Sequence, residues 1–106
     1  MAEIYFEVVS VLGKKIRTTK EHWKLISEIK HPIIKEHEKE VKETLAEPDE
    51  IRQSRKDLSV FLYYRKSEKY FVCVLVKHLN SEGFIITAYL ADKIKKGNTI
   101  WKKETK

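Results

Sequence analysis

The hydrophobic period changes twice along the chain, and each change marks a change of element. Residues 4–12 are rich in β-branched and aromatic side chains and read as a strand. Gly13-Lys14-Lys15 reads as a turn into a short second strand over 15–18. Thr18 and Thr19 are natural helix N-caps and Glu21 places an acid in the first turn, so a helix is predicted from about Lys20. His22, Leu25, Ile26 and Ile29 follow the i, i+3, i+4, i+7 spacing of its buried stripe. His31-Pro32 interrupts that helix, because the residue before a proline is pushed out of the helical region. A second helix is predicted over about 33–46, with Ile34, Val41 and Leu45 inward and His37 at the edge of the stripe. The charged run 35–40 is its solvated face, and Glu47-Pro48-Asp49 ends it.

From there the period becomes two. Residues 50–54 predict a short strand, and 58–65, 70–78 and 84–91 predict three longer ones, joined by hairpin loops over 65–69 and 80–83. Residues 72–76 are apolar on both faces, which places that strand centrally in a sheet. A last short strand includes 99–101. Two strands, two helices and a late antiparallel meander make an α+β domain.

At 106 residues the chain suits one domain with one modest core. No apolar run approaches the roughly 18 residues of a membrane span. Met1 to Phe6 lacks the basic segment and cleavage site of a secretory signal, and the lone Cys73 excludes a disulfide framework, so a cytoplasmic setting is expected. The charge is one-sided: residues 1–53 carry a net −1 and residues 54–106 a net +7. Such an excess points to a polyanionic partner, whether RNA, DNA or an acidic protein, although a basic surface also serves solubility.

Several chemistries find no signal. There is no glycine-rich phosphate loop, no G-x-S-x-G elbow and no H-E-x-x-H. The four histidines, His22, His31, His37 and His78, lack metal-ligand spacing, so neither a metal nor a cofactor is expected. Cys73 lies among Phe71, Val72, Val74 and Leu75 and reads as a small core residue. What remains is His, Arg, Lys, Thr and Tyr on a basic sheet domain. Those types suit RNA cleavage without a metal, which needs a base for the ribose 2′-OH, an acid for the leaving 5′-oxygen, and cations for the phosphate.

The motifs Thr19-x-x-His22-Trp23, His31-Pro32, Pro48-Asp49-x-Ile51-Arg52, Tyr63-Tyr64-Arg65 and Ile86-Thr87-Ala88-Tyr89 occur in that order. This series resembles the phage-associated nuclease-like domains grouped with the barnase, EndoU, colicin and RelE superfamily, the BECR fold, over roughly residues 16–101. The resemblance implies two N-terminal helices packed on an antiparallel β-sheet of about four to six strands. It also implies a metal-independent endoribonuclease, of the kind that acts as a toxin in toxin–antitoxin pairs or phage conflict and leaves a 2′,3′-cyclic phosphate. Its partners would be RNA and an antitoxin encoded nearby; an uncovered edge strand also suits pairing with a second copy.

Carried over residue by residue, His31 and His22 match the histidines that would move protons. Either is also readable structurally, His31 as a helix C-terminal residue and His22 as part of the buried stripe. Arg52 matches the arginine after Pro-Asp-x-Ile, as a phosphate ligand or as half of an ion pair, and Arg55 extends the same element. Thr87 and Tyr89 match a strand face that would orient substrate. Lys77 and His78 depend on hairpin parity: a four-residue loop places Thr87 and Tyr89 with His78, and a loop one residue longer or shorter places them with Lys77. Tyr63 and Tyr64 face opposite ways, so at most one, taken as Tyr64, lines the site. Trp23 and Trp101 read as packing anchors. Two other functions fit the same residues, a non-catalytic RNA- or DNA-binding module and a protein-interaction domain with an acidic partner.

Overall fold

Seven strands form one sheet in the computed structural model, which describes residues 3–104. In chain order they are β1 (Ile4–Val9), β2 (Lys15–Thr19), β3 (Glu50–Gln53), β4 (Val60–Ser67), β5 (Tyr70–Leu79), β6 (Glu82–Ala91) and β7 (Asn98–Lys102). Between β2 and β3 lie α1 (Lys20–Lys24), a π-helical continuation of it (Leu25–Lys30), a 3-10 turn (Pro32–His37) and α2 (Glu38–Ala46). Thr19 caps α1 as its chemistry predicts, its hydroxyl accepting from the His22 amide at 3.1 Å.

The domain is α+β, but the expected arrangement of two N-terminal helices on four to six antiparallel strands is corrected on three counts. Two strands precede the helices, the sheet has seven strands, and it is mixed. Its order is β1-β2-β6-β5-β4-β3-β7, with β2 running parallel to β6 and every other pair antiparallel. Gly83 is what permits the parallel contact. It pairs with Ile16, and a Cβ built on it would stand 2.6 Å from the Lys77 carbonyl oxygen and 2.9 Å from Ile16 Cδ1. Only glycine lets Ile16, itself fully buried, close over β6.

The main core lies between the helices and one face of the sheet. Trp23, Ile26, Ile34, Val41 and Leu45 pack on Ile16, Ile51, Tyr63, Val72, Val74, Val76, Ile85 and Ala88. Strict alternation along β4 and β5 sends Leu62, Tyr64 and Cys73 to the opposite face, where they form a second, smaller cluster. The central placement of β5 follows: it is covered on both sides.

The hairpin loops are tighter than the sequence pattern predicts. Glu68-Lys69 joins β4 to β5 and Asn80-Ser81 joins β5 to β6, with Glu68 and Asn80 at φ +54° and +52°. A two-residue loop alone would put Thr87 and Tyr89 on the face of His78. The strand does otherwise, because Leu75 pairs with Thr87 while Val76 pairs with Ile85, leaving Ile86 as the extra residue of a β-bulge. Beyond the bulge Thr87 and Tyr89 face the same way as Cys73, Leu75 and Lys77, away from the helices.

His78 thus belongs to the helix side. It stacks on Phe61 with ring centroids 4.0 Å apart and shares a 3.0 Å hydrogen bond with the Tyr63 hydroxyl. Burial, reinforced by the charge of Lys14, pulls its pKa down to about 4, so it is neutral in the fold. A base whose pKa falls on folding contributes stability that is complete above the unfolded value near 6.5 and is lost as pH falls toward 4.

Two outcomes are expected. Urea unfolding at pH 7 and pH 5 should show a loss of roughly 2 kcal/mol attributable to His78, and His78→Gln should flatten that dependence; identical pH profiles would mean His78 protonates as readily in the fold as in the unfolded chain. Gly83→Ala should cost about 1–3 kcal/mol in the same assay, and wild-type stability in that variant would mean that β2 and β6 have room to separate.

Candidate functional site

The face turned away from the helices carries the smaller cluster and, above it, a groove of about 720 Å³. Val60, Leu62 and Leu75 give it an apolar floor. Arg55, Lys56, Lys95 and Lys96 line it with four basic side chains, and His31, Thr87 and Tyr89 complete its polar lining. Among the described residues no carboxylate lines it. A second cavity of about 290 Å³ shares Tyr89, Lys95 and Lys96 with the first, so these three residues form a wall common to both.

His31 reaches the groove through the helical segment that borders β6. The π turn is closed by the His31 amide donating to the Ile26 carbonyl five residues back, at 2.8 Å. Pro32 then forces the change of direction that the sequence predicts, and the imidazole comes to rest beside Tyr89, ring centroids 5.7 Å apart and tilted by 36°. His22 fastens the same segment from the other end. Its Nε2 lies 2.8 Å from the carbonyl oxygen of Ile86, the bulge residue, and since a carbonyl only accepts, His22 donates there.

The lysine wall is held from β3. Arg52 Nε donates to Glu50 Oε2 at 2.6 Å, the Thr99 hydroxyl donates to the same oxygen at 2.6 Å, and an Arg52 terminal nitrogen lies 3.5 Å from the Gly97 carbonyl oxygen. Glu50 is 7% exposed; burial alone pushes its carboxyl up, but the hydrogen bonds from Thr99 and Arg52 outweigh that and hold it below the usual range. Gly97, at φ +82°, lies so close to β3 that a Cβ would meet the Gln53 carbonyl oxygen at 2.6 Å. Arg52 therefore acts as a fastener for the loop that presents Lys95 and Lys96.

Beneath the groove, Tyr64, Cys73 and Tyr89 adjoin one another. Burial raises the pKa of both phenols far above the usual tyrosine range, with the Cys73 thiol adding to the effect, and burial pushes the thiol itself up to about 11. All three stay protonated at neutral pH, so the phenols are hydrogen-bond donors and not bases.

Of the residues singled out in the sequence, His31, Arg55, Thr87 and Tyr89 meet in this groove. Tyr64 lies below it and lines the second cavity. His22 is committed to the β-bulge and Arg52 to Glu50. Lys77 shares the open face but stands beside Asp57, at 3.8 Å, and His78 is on the other side of the sheet. Lys56, Lys95 and Lys96 were not singled out. For Lys95 and Lys96 the signal is the basic run Lys93-Ile94-Lys95-Lys96 following the Thr87–Tyr89 strand, in which Ile94 packs on the small cluster, and for Lys56 it is its place next to Arg55.

Comparison with protein families, with curated proteins and with solved structures finds no match for this chain. The groove's chemistry accordingly stands on its own residues: it can bind a polyanion, pack an apolar or aromatic group on its floor, and move one proton through His31. Cys73, fully buried beneath it, is expected to resist Ellman's reagent in the native protein at pH 8 and to react on unfolding; reaction in the native state at the rate of a free thiol would mean that the floor opens.

Proposed function

We propose that the groove binds single-stranded RNA and that His31 makes the protein a metal-independent endoribonuclease. The observation that carries this reading is the placement of His31 against Tyr89 in a groove with four basic side chains and no carboxylate. The ordered motif series, which resembles that of the BECR nuclease-like domains, supports it as well. A carboxylate-free basic groove attracts phosphate, and arginine adds bidentate geometry to that attraction. The shared wall of Tyr89, Lys95 and Lys96 suits a phosphate at the junction of the two cavities, the second of which is lined by Asp92 as well as Lys93. In the proposed step, an imidazole nitrogen of His31 takes the proton of a ribose 2′-OH and the 2′-oxygen attacks phosphorus. The bond to the 5′-oxygen breaks, that oxygen takes a proton from solvent, and a 2′,3′-cyclic phosphate remains. Lysine and arginine charges offset the negative charge that grows on the phosphate oxygens.

One observation favours a second reading, a binding module without catalysis. The phenol beside His31, that of Tyr89, is held protonated by burial, so it adds no second base to the groove.

The test is incubation of the protein with mixed-sequence RNA in EDTA, with product ends examined for cyclic phosphate. Wild type is expected to cleave and His31→Ala to cleave about 10²–10⁴-fold more slowly, while both bind RNA with the same steep salt dependence. Binding without cleavage by either would leave the second reading; absence of binding at low salt would overturn both.

A further inference from the structure

Thr87 presents an apparent waste. It lines the groove, yet its Oγ1 is covered and has no hydrogen-bond partner among the described residues. A valine has the same shape without the cost of an unserved hydroxyl, and would suit a β-strand at least as well. Thr87 is the cross-strand partner of Leu75, and Leu75 is part of the apolar floor with Val60 and Leu62. One wall of that floor is Tyr89, whose phenol stays neutral, and the rim is basic. An apolar floor, a hydroxyl awaiting a partner and a cationic rim make up the three parts of a nucleotide: a base that packs, an edge that hydrogen-bonds and a phosphate.

Resting on the reading of the groove as an RNA site, we infer that its floor is a slot for one unpaired nucleobase and that Thr87 is a specificity residue reading the base edge. Rotation about χ1 exchanges the positions of hydroxyl and methyl in a β-branched side chain, and is the motion that turns Oγ1 toward an occupant. A base inside a duplex cannot enter such a slot, so the site selects single strands. Because a hydroxyl both donates and accepts, it serves one base better than the others according to the edge that reaches it. The fold bears the cost of an unsatisfied group when the slot is empty.

The test uses fluorescein-labelled 2′-deoxy octamers of U, A, C and G and an abasic octamer of the same charge, all lacking the 2′-OH that the proposed cleavage requires. Fluorescence anisotropy with wild type is expected to show the abasic octamer binding more weakly than the best of the four. Thr87→Val should weaken the preferred octamer by about 3–10-fold, the worth of one net hydrogen bond, and leave the abasic affinity unchanged. The same variant should melt at a higher temperature than wild type, because the unserved hydroxyl is gone. Equal binding of all five octamers by wild type, or a uniform loss in Thr87→Val, or a lower melting temperature, would overturn the slot while leaving the groove as an RNA site. No binding of any octamer at low salt would overturn the groove reading itself.

Discussion

The hydrogen bond from His22 to the carbonyl of Ile86 ties together the two decisions on which the open face depends. A β-bulge leaves a backbone carbonyl without its ladder partner, and a buried carbonyl left unserved is costly. His22 serves it at 2.8 Å, and in doing so lays the helical segment along β6. The bulge turns Thr87 and Tyr89 away from the main core, and the segment fixed by His22 delivers His31 beside Tyr89. One interaction thus sets both which strand residues face the groove and what stands against them.

The two faces of the sheet divide the work. The helix side holds nearly all the large buried side chains and contains the neutral His78. The other side closes over a smaller cluster: Leu62, Tyr64 and Cys73 are buried there, roofed by the partly exposed Phe71, Leu75, Tyr89 and Ile94. The basic half of the chain is what supplies this roof. Arg52, paired with buried Glu50, contributes its charge to holding the loop and not to the groove itself.

What the sequence made legible, and what it did not, follows from the range of each effect. The N-cap at Thr19, the break at His31-Pro32 and the alternation of β4 and β5 are local, and they stand where local rules place them. The parallel union of β2 with β6 depends on a single glycine meeting Ile16 from the far end of the chain, and no periodicity reports it. The face of Thr87 was legible only as a choice of parity, because one inserted residue reverses it. Arg52 matched a motif in sequence, but which of its two charge partners would win depended on Glu50 and Thr99 being adjacent in space.

The strand order also has a kinetic meaning. β4, β5 and β6 are joined by two-residue loops, so their pairing closes short stretches of chain and is entropically cheap. The pairing of Lys15 with Glu82 and of Ile51 with Trp101 must instead close long loops. Topology therefore favours an early three-stranded meander, onto which the N-terminal hairpin and the last strand dock later. The floor of the groove belongs to the early part and its lysine wall to the late part. A chain caught between the two stages would hold the apolar surface of the floor uncovered, which makes the speed of C-terminal docking a determinant of how safely the molecule folds.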